Sequence, residues 1–229
     1  MSIRVCTFWD RGHAHDRRPL ASCGLDRFFL RLDGPKMRKE QDASNTSSTA
    51  YDPLTRALTR PSFLAVLRKQ AQRAEKSGDA FCICLVDVDQ LQNINDQRGL
   101  SAGDQALRAL AERLRTTLAQ PGWHGVEHTL ARYDGDALVV LAQPCSLGEG
   151  ERLAEALRFH VAEAPLYDEV GITVSIGVAQ FRIGETIDDL LARTERTLHV
   201  AKQFGRDRVE ISKTPASHPQ RAAVRKVRD

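Results

Sequence analysis

Phe81-Cys82-Ile83-Cys84-Leu85-Val86-Asp87-Val88 is the segment that most restricts what this chain can fold into. It opens apolar without alternation, so both faces of the strand it forms must be covered. Such a strand lies inside a sheet, with a layer on each side. The run closes on Asp87 and Asp89, which are two residues apart and so share a face. Carboxylates leaving an apolar strand need a partner. Two readings are open: a magnesium ion, which takes one or two carboxylates plus phosphate oxygens, or a strand end turning into solvent with Asp89 capping the next turn.

The elements around this strand alternate in type. Pro61 stands where a helix starts, and Phe63, Leu64, Leu67, Ala71 and Ala74 follow at helical spacing. Leu107, Leu110, Ala111, Leu114 and Leu118 form a second helical stripe, with Ser101 and Asp104 as its expected capping pair. A helix is expected over 149–162, a β-branched strand over 172–179, a helix capped by Thr186 and Asp189 and ended by Gly205, and a last strand over 208–211. Strands interleaved with helices give the class α/β (α+β): a central mixed sheet of about five strands flanked by helices.

The ends read differently. Residues 1–50 show no sustained periodicity beyond a short helix near Leu25–Leu32, and 42–49 is a polar linker. We expect residues 1–50 to be a disordered segment, 51–212 the folded domain and 213–229 a basic disordered tail. Met37 offers a second start, which would leave 1–36 outside the working protein. Residues 1–50 carry nine Lys/Arg against six Asp/Glu, and 213–229 carry five against one; with a total of +3, residues 51–212 are at −4. The basic charge therefore lives at the ends, without the aromatic platform that a nucleic-acid surface would add. Five cysteines without zinc spacing suit a reducing compartment. No apolar run approaches a membrane span and no signal peptide opens the chain, so we expect a cytoplasmic protein.

Three further segments carry chemistry. Ala131–Leu141 reads as a β-hairpin with Asp134-Gly135 at a two-residue type I′ tip and Asp136 directly after it. Acid beside bare glycine backbone suits a cation and leaves room for phosphate. Asn93–Asp104 reads as a loop rich in amides and acids, able to meet the donor and acceptor edge of a base. Lys202 and Arg206 sit at a helix C-terminus, where they either complement the macrodipole or clamp a triphosphate.

Taken together, Asp52-Pro53-Leu54-Thr55, Asp87-Val88-Asp89 through Gly103-Asp104, the 132–138 hairpin, Ser175-Ile176-Gly177 and 201–209 resemble the GGDEF domain, the diguanylate cyclase family of bacteria. The resemblance spans residues 51–211. It implies a nucleotidyl-cyclase-like fold and condensation of two GTP into cyclic di-GMP and two diphosphates across a transient dimer. It also implies Asp87, Val88 and Asp136 as metal ligands for Mg2+ or Mn2+, Asn95 and Asp104 as readers of guanine, and Lys202 and Arg206 as triphosphate holders. The signature itself departs. Asp134, Gly135, Asp136, Ala137 and Leu138 stand where the family has Gly-Gly-Asp/Glu-Glu-Phe, which adds a charge at the first position and removes a carboxylate at the fourth. Gly125 and His128 stand where the family carries the Arg and Asp of its inhibitory product site. We therefore expect weak or no cyclase activity with GTP binding retained, and a role through GTP, a homodimer or a heterologous signalling protein. The alternative is an active cyclase with an atypical signature.

Overall fold

The structure is a computed structural model that describes residues 50–165 and 171–213. The expected helix near Leu25–Leu32 and nearly all of both expected tails lie outside the described residues.

Helix α1 (Arg60–Ser77) begins with Pro61 in its first turn and ends at Gly78, whose φ of 78° closes the helix in the left-handed region. Strand β1 (Cys82–Val88) follows and is buried at every position. Helices α2 (Leu91–Arg98) and α3 (Leu100–Leu118) come next, broken only at Gly99 with φ 85°. Two expectations change here. The segment read as a loop is largely helical, and α3 starts at Leu100 with Gly99 before it, so Ser101 lies inside the helix rather than capping it. Gly99 takes a backbone that few other residues adopt, and that break, not a side-chain cap, sets the start.

The hairpin strands are β2 (Glu127–Arg132) and β3 (Ala137–Gln143). Helix α4 (Leu147–Ala162) opens on a reciprocal capping box of Ser146 and Glu149. Strand β4 (Val174–Gln180), helix α5 (Ile187–Gln203), with Thr186 accepting from the Asp189 amide, and strand β5 (Val209–Ile211) complete the order. The sheet runs β2-β3-β1-β4-β5. Its first three pairings are antiparallel and β4–β5 is parallel, so the sheet is mixed as expected.

Alternation along β1 splits the core into two layers. Cys82, Cys84, Val86 and Val88 face Leu107, Leu110 and Leu114 of α3 and Leu153 and Leu157 of α4. Phe81, Ile83 and Leu85 face Phe63 and Leu67 of α1 and Leu190 and Leu198 of α5. Phe63 and Leu67 are fully buried, which stabilises the docking of α1 by roughly 2 kcal/mol each. Gly177 lets α5 lie against β4: a Cβ there would come within 2.5 Å of the Leu198 amide nitrogen. Cys82 and Cys145 both direct their sulfurs at the Ser146 carbonyl, at 3.3 and 3.5 Å, near the start of β1. Among the described residues no helix is long and apolar enough to cross a membrane.

Candidate functional site

Asp87 is the last residue but one of β1 and lies on the α1/α5 face, opposite Ala137 on β3 and Ser175 on β4. Its side chain is 8% exposed and its Oδ1 lies 2.7 Å from Lys202 Nζ of α5. Burial pushes the Asp87 carboxyl up; Lys202 pulls it back, and the charges of Asp136 and Asp89 add to the rise. The structure thus brings Asp87, Asp136 and Lys202 into one electrostatic group. Lys202 does more than complement a helix end: it neutralises a buried acid.

Asp89 follows neither expected course. It is buried and saturated by Ser175 Oγ at 2.6 Å, Thr173 Oγ1 at 2.8 Å and the Asp207 amide at 2.9 Å. It fastens β1 to β4 and to the loop after α5. That loop turns through three consecutive left-handed residues, Gly205, Arg206 and Asp207, with φ of 112°, 63° and 43°. It leaves the Arg206 side chain exposed beyond the helix that carries Lys202.

The hairpin tip differs from the expected type I′ turn. Neither Asp134 nor Gly135 has a left-handed φ. The Ala137 amide donates to the Asp134 carbonyl at 3.2 Å, and the Tyr133 amide to the Ala137 carbonyl at 2.8 Å. The turn is therefore centred one residue later, on Gly135-Asp136. Asp134 Oδ1 accepts from the Gly135 amide at 2.9 Å, so this carboxylate occupies a donor at the tip. A Cβ at Gly135 would meet nothing within 4 Å. The open space above the glycine is what a ligand would use. Ala137 is buried at 6% exposure and packs with Tyr133 and Leu85.

Arg132 locks the tip from below. Its Nη2 and Nε donate to the Gly135 carbonyl at 2.6 and 3.2 Å, and its Nη1 lies 3.1 Å from Asp52 Oδ1. Asp52 Oδ2 in turn accepts from the Thr55 amide and hydroxyl, both at 2.7 Å. Burial alone would raise Asp52, but the Thr55 bonds and Arg132 outweigh it and hold the carboxyl below its ordinary value. Beside the hairpin, Tyr133 donates to Glu195 Oε1 of α5 at 2.6 Å, with Arg60 stacked 4.5 Å from its ring centroid. Burial and the Glu195 charge, against the opposing pull of Arg60, push the Tyr133 hydroxyl up to about 12. The three-residue spacing of Asp52 and Thr55 is a readable turn signal. The Arg132 and Glu195 contacts reach across 80 and 62 positions and leave no local trace.

Asn95 lies on α2 and Asp104 in the first turns of α3. Asn95 Oδ1 is buried without a hydrogen-bond partner among the described residues. It rests on Gly103, where a Cβ would lie only 1.9 Å away. Glycine thus makes room for an unpaired acceptor directly beside Asp104, which is exposed. Gly125, with φ 89°, and half-buried His128 lie at the start of the hairpin. Burial lowers the His128 pKa, and its Nε2 has no partner among the described residues.

A divalent cation fits this donor set in one form only. Among the described residues no three His, Cys, Asp or Glu side chains gather as a metal cage. The two mutually repelling carboxylates, Asp87 and Asp136, would suit Mg2+, which commonly keeps waters and shares phosphate oxygens with its substrate.

Comparison with known proteins identifies the family and the fold. Residues 49–208 match the family described as Diguanylate cyclase, GGDEF domain. The chain is 32% identical over 164 residues to diguanylate cyclase DgcP of Pseudomonas aeruginosa, covering 70% of this chain and 24% of that protein. It is 33% identical over 159 residues to diguanylate cyclase DgcM of Escherichia coli, covering 69% of this chain and 37% of that one. It thus spans well under half of either relative. The GGDEF domain of DgcB from Caulobacter crescentus, solved in complex with c-di-GMP, superposes with a TM-score of 0.65 at 26% identity, over 72% of this chain and 97% of that one. Diguanylate cyclase SiaD of P. aeruginosa, solved with its activator SiaC, gives 0.66 at 26% identity over 71% and 62%. The fold, the order of the motifs and these likenesses lead to one conclusion: the chain belongs to the GGDEF-domain family of cyclic di-GMP signalling.

Proposed function

We propose that this cytoplasmic domain binds GTP with Mg2+ or Mn2+, turns it over weakly or not at all, and acts in cyclic di-GMP signalling through what it binds. The observation that carries this reading is the hairpin tip. Condensation of two GTP is in-line attack of a 3′-hydroxyl on an α-phosphate with diphosphate leaving, so rate depends on positioning and on neutralising negative charge. At this tip the Asp134 carboxylate takes the Gly135 amide, and Ala137 supplies no carboxylate opposite Asp87. A misplaced charge there removes several kcal/mol of transition-state stabilisation, at tenfold in rate for each ~1.4 kcal/mol.

The residues that this reading assigns to binding are all present in the chain. Asp87, the Val88 carbonyl and Asp136 would hold the cation, which neutralises phosphate oxygens when bound. Asn95 offers its orphaned acceptor and Asp104 its exposed carboxylate to the guanine edge. Lys202, which holds Asp87 at 2.7 Å, would join Arg206 on the triphosphate. With Gly125 and His128 in place of an Arg and an Asp, we expect no product inhibition near the hairpin. The partner would be a second copy of the chain or a signalling protein, as SiaC is for SiaD. Residues 1–50 and 213–229 are proposed as segments outside the folded domain.

Calorimetry with GTP and Mg2+, alongside chromatography of the products, tests this. We expect saturable GTP binding that is lost in Asp136→Ala, with little or no cyclic di-GMP. Abundant cyclic di-GMP that disappears in Asp136→Ala would favour the second reading, an active cyclase, which rests on the retention of Asp87, Asn95, Asp104, Asp136, Lys202 and Arg206.

A further inference from the structure

A groove of about 660 Å³ separates the turn at 53–56 from the outer face of α3, and none of the roles above uses it. Arg56, Arg108 and Arg115 line it together with Leu54, Gln105 and Ala109. One carboxylate, Glu112, shares the lining, and Arg115 Nη1 already holds it at 3.1 Å. Arg115 Nη2 donates to the Thr55 carbonyl and is fixed in the wall. Neither Arg56 nor Arg108 has a partner for its guanidinium among the described residues. The groove thus carries three guanidinium groups against one carboxylate, and the charges of Arg56 and Arg108 are left over.

Arg56 also sits where its backbone favours another residue. Its φ is 57°, in the left-handed region, and its amide donates to the Asp52 carbonyl at 2.8 Å. Glycine would adopt this conformation freely, whereas a side chain is strained there. The turn does not require arginine, so the use of this side chain lies in what it faces. Guanidinium forks bind phosphate oxygens through paired charge-assisted hydrogen bonds. The volume falls in the ordinary range of small-molecule sites, and Leu54 and Ala109 give one wall an apolar surface beside the Gln105 amide. We propose that this groove is a second ligand site, which takes a phosphorylated small molecule with Arg56 and Arg108 on its phosphates and Arg115 as a fixed backstop. Thr55, in its wall, also bonds Asp52, so the site adjoins the turn that holds Arg132 and the hairpin.

The test uses the full chain, sodium pyrophosphate as the probe and EDTA to exclude metal-dependent binding, with calorimetry as the readout. Arg56→Gly and Arg108→Ala should each weaken binding by about tenfold, one charge-assisted contact apiece. Arg56→Gly should also raise the thermal midpoint by relieving the strained backbone, which separates lost binding from lost fold. Lys202→Ala with Arg206→Ala should leave the groove's binding event intact, whatever happens at the nucleotide site. Three results would overturn the proposal: no saturable binding at millimolar pyrophosphate, undiminished binding in the Arg56→Gly, Arg108→Ala double variant, or complete loss in the Lys202→Ala, Arg206→Ala variant.

Discussion

Asp52 stands 80 positions from Arg132 in sequence, yet its carboxylate supports the hairpin tip through that arginine. The effect of pH on this contact has a definite sign. Its folded pKa lies below the ordinary value because the Thr55 bonds and Arg132 outweigh burial. The stability it contributes is therefore complete above an ordinary Asp pKa of about 3.9 and is lost as pH falls through the lower folded value. Asp52→Asn should cost about 1–2 kcal/mol at neutral pH, and the gap to wild type should close below about pH 4; urea titrations across pH check both. Gly103 makes a different kind of statement. A Cβ there meets the movable Asn95 amide group rather than backbone. Alanine should displace Asn95 while gaining roughly 1 kcal/mol of helix propensity. Gly103→Ala should thus weaken GTP binding by about tenfold with little loss of stability, as calorimetry and thermal melts together would show.

Among the elements, β3 sets what the signature can do. Its first residue, Ala137, faces Asp87 across the sheet. Ala137→Glu would bury a second carboxylate directly opposite Asp87, at a cost of about 2–3 kcal/mol without a cation. Magnesium with GTP should recover more stability in this variant than in wild type; equal stability with no response to Mg2+ would show that position 137 does not face the site. The sheet and the two helix stripes of α3 and α5 were legible because apolar spacing is a local property. The places of Asp87 at the end of β1 and Lys202 at the end of α5 were legible in the same way, but the contact between them was not. The turn at Gly135-Asp136 was not, because Asp-Gly permits a type I′ turn without compelling it, and Arg132 holds the Gly135 carbonyl from outside the tip. Nor was α2: its polar sequence, with only Leu91 buried, has too narrow an apolar stripe to announce a helix. The Asp89 lock depends on Thr173, Ser175 and Asp207, which the fold brings together from distant positions.

At the scale of the whole domain, the helices on the two faces of the sheet differ in what they hold. The α3/α4 layer contains aliphatic side chains and all the described thiols, Cys82, Cys84 and Cys145. The α1/α5 layer ends on Asp87 and Lys202. Change at the nucleotide site can therefore repack charge on one face without disturbing the other. The three thiols turn that arrangement into a clock. They are 0%, 0% and 3% exposed, and burial pushes the Cys84 thiol well above its ordinary pKa, so a reagent reaches these sulfurs only when the fold opens. In a chain with Cys6 and Cys23 replaced by serine, an aromatic disulfide reagent should label at least about a thousandfold more slowly than it labels free cysteine. Each labelled molecule would record one opening of the sheet's interior. The labelling rate, followed with and without GTP, would then measure how often this domain breathes, with no enzymatic turnover required.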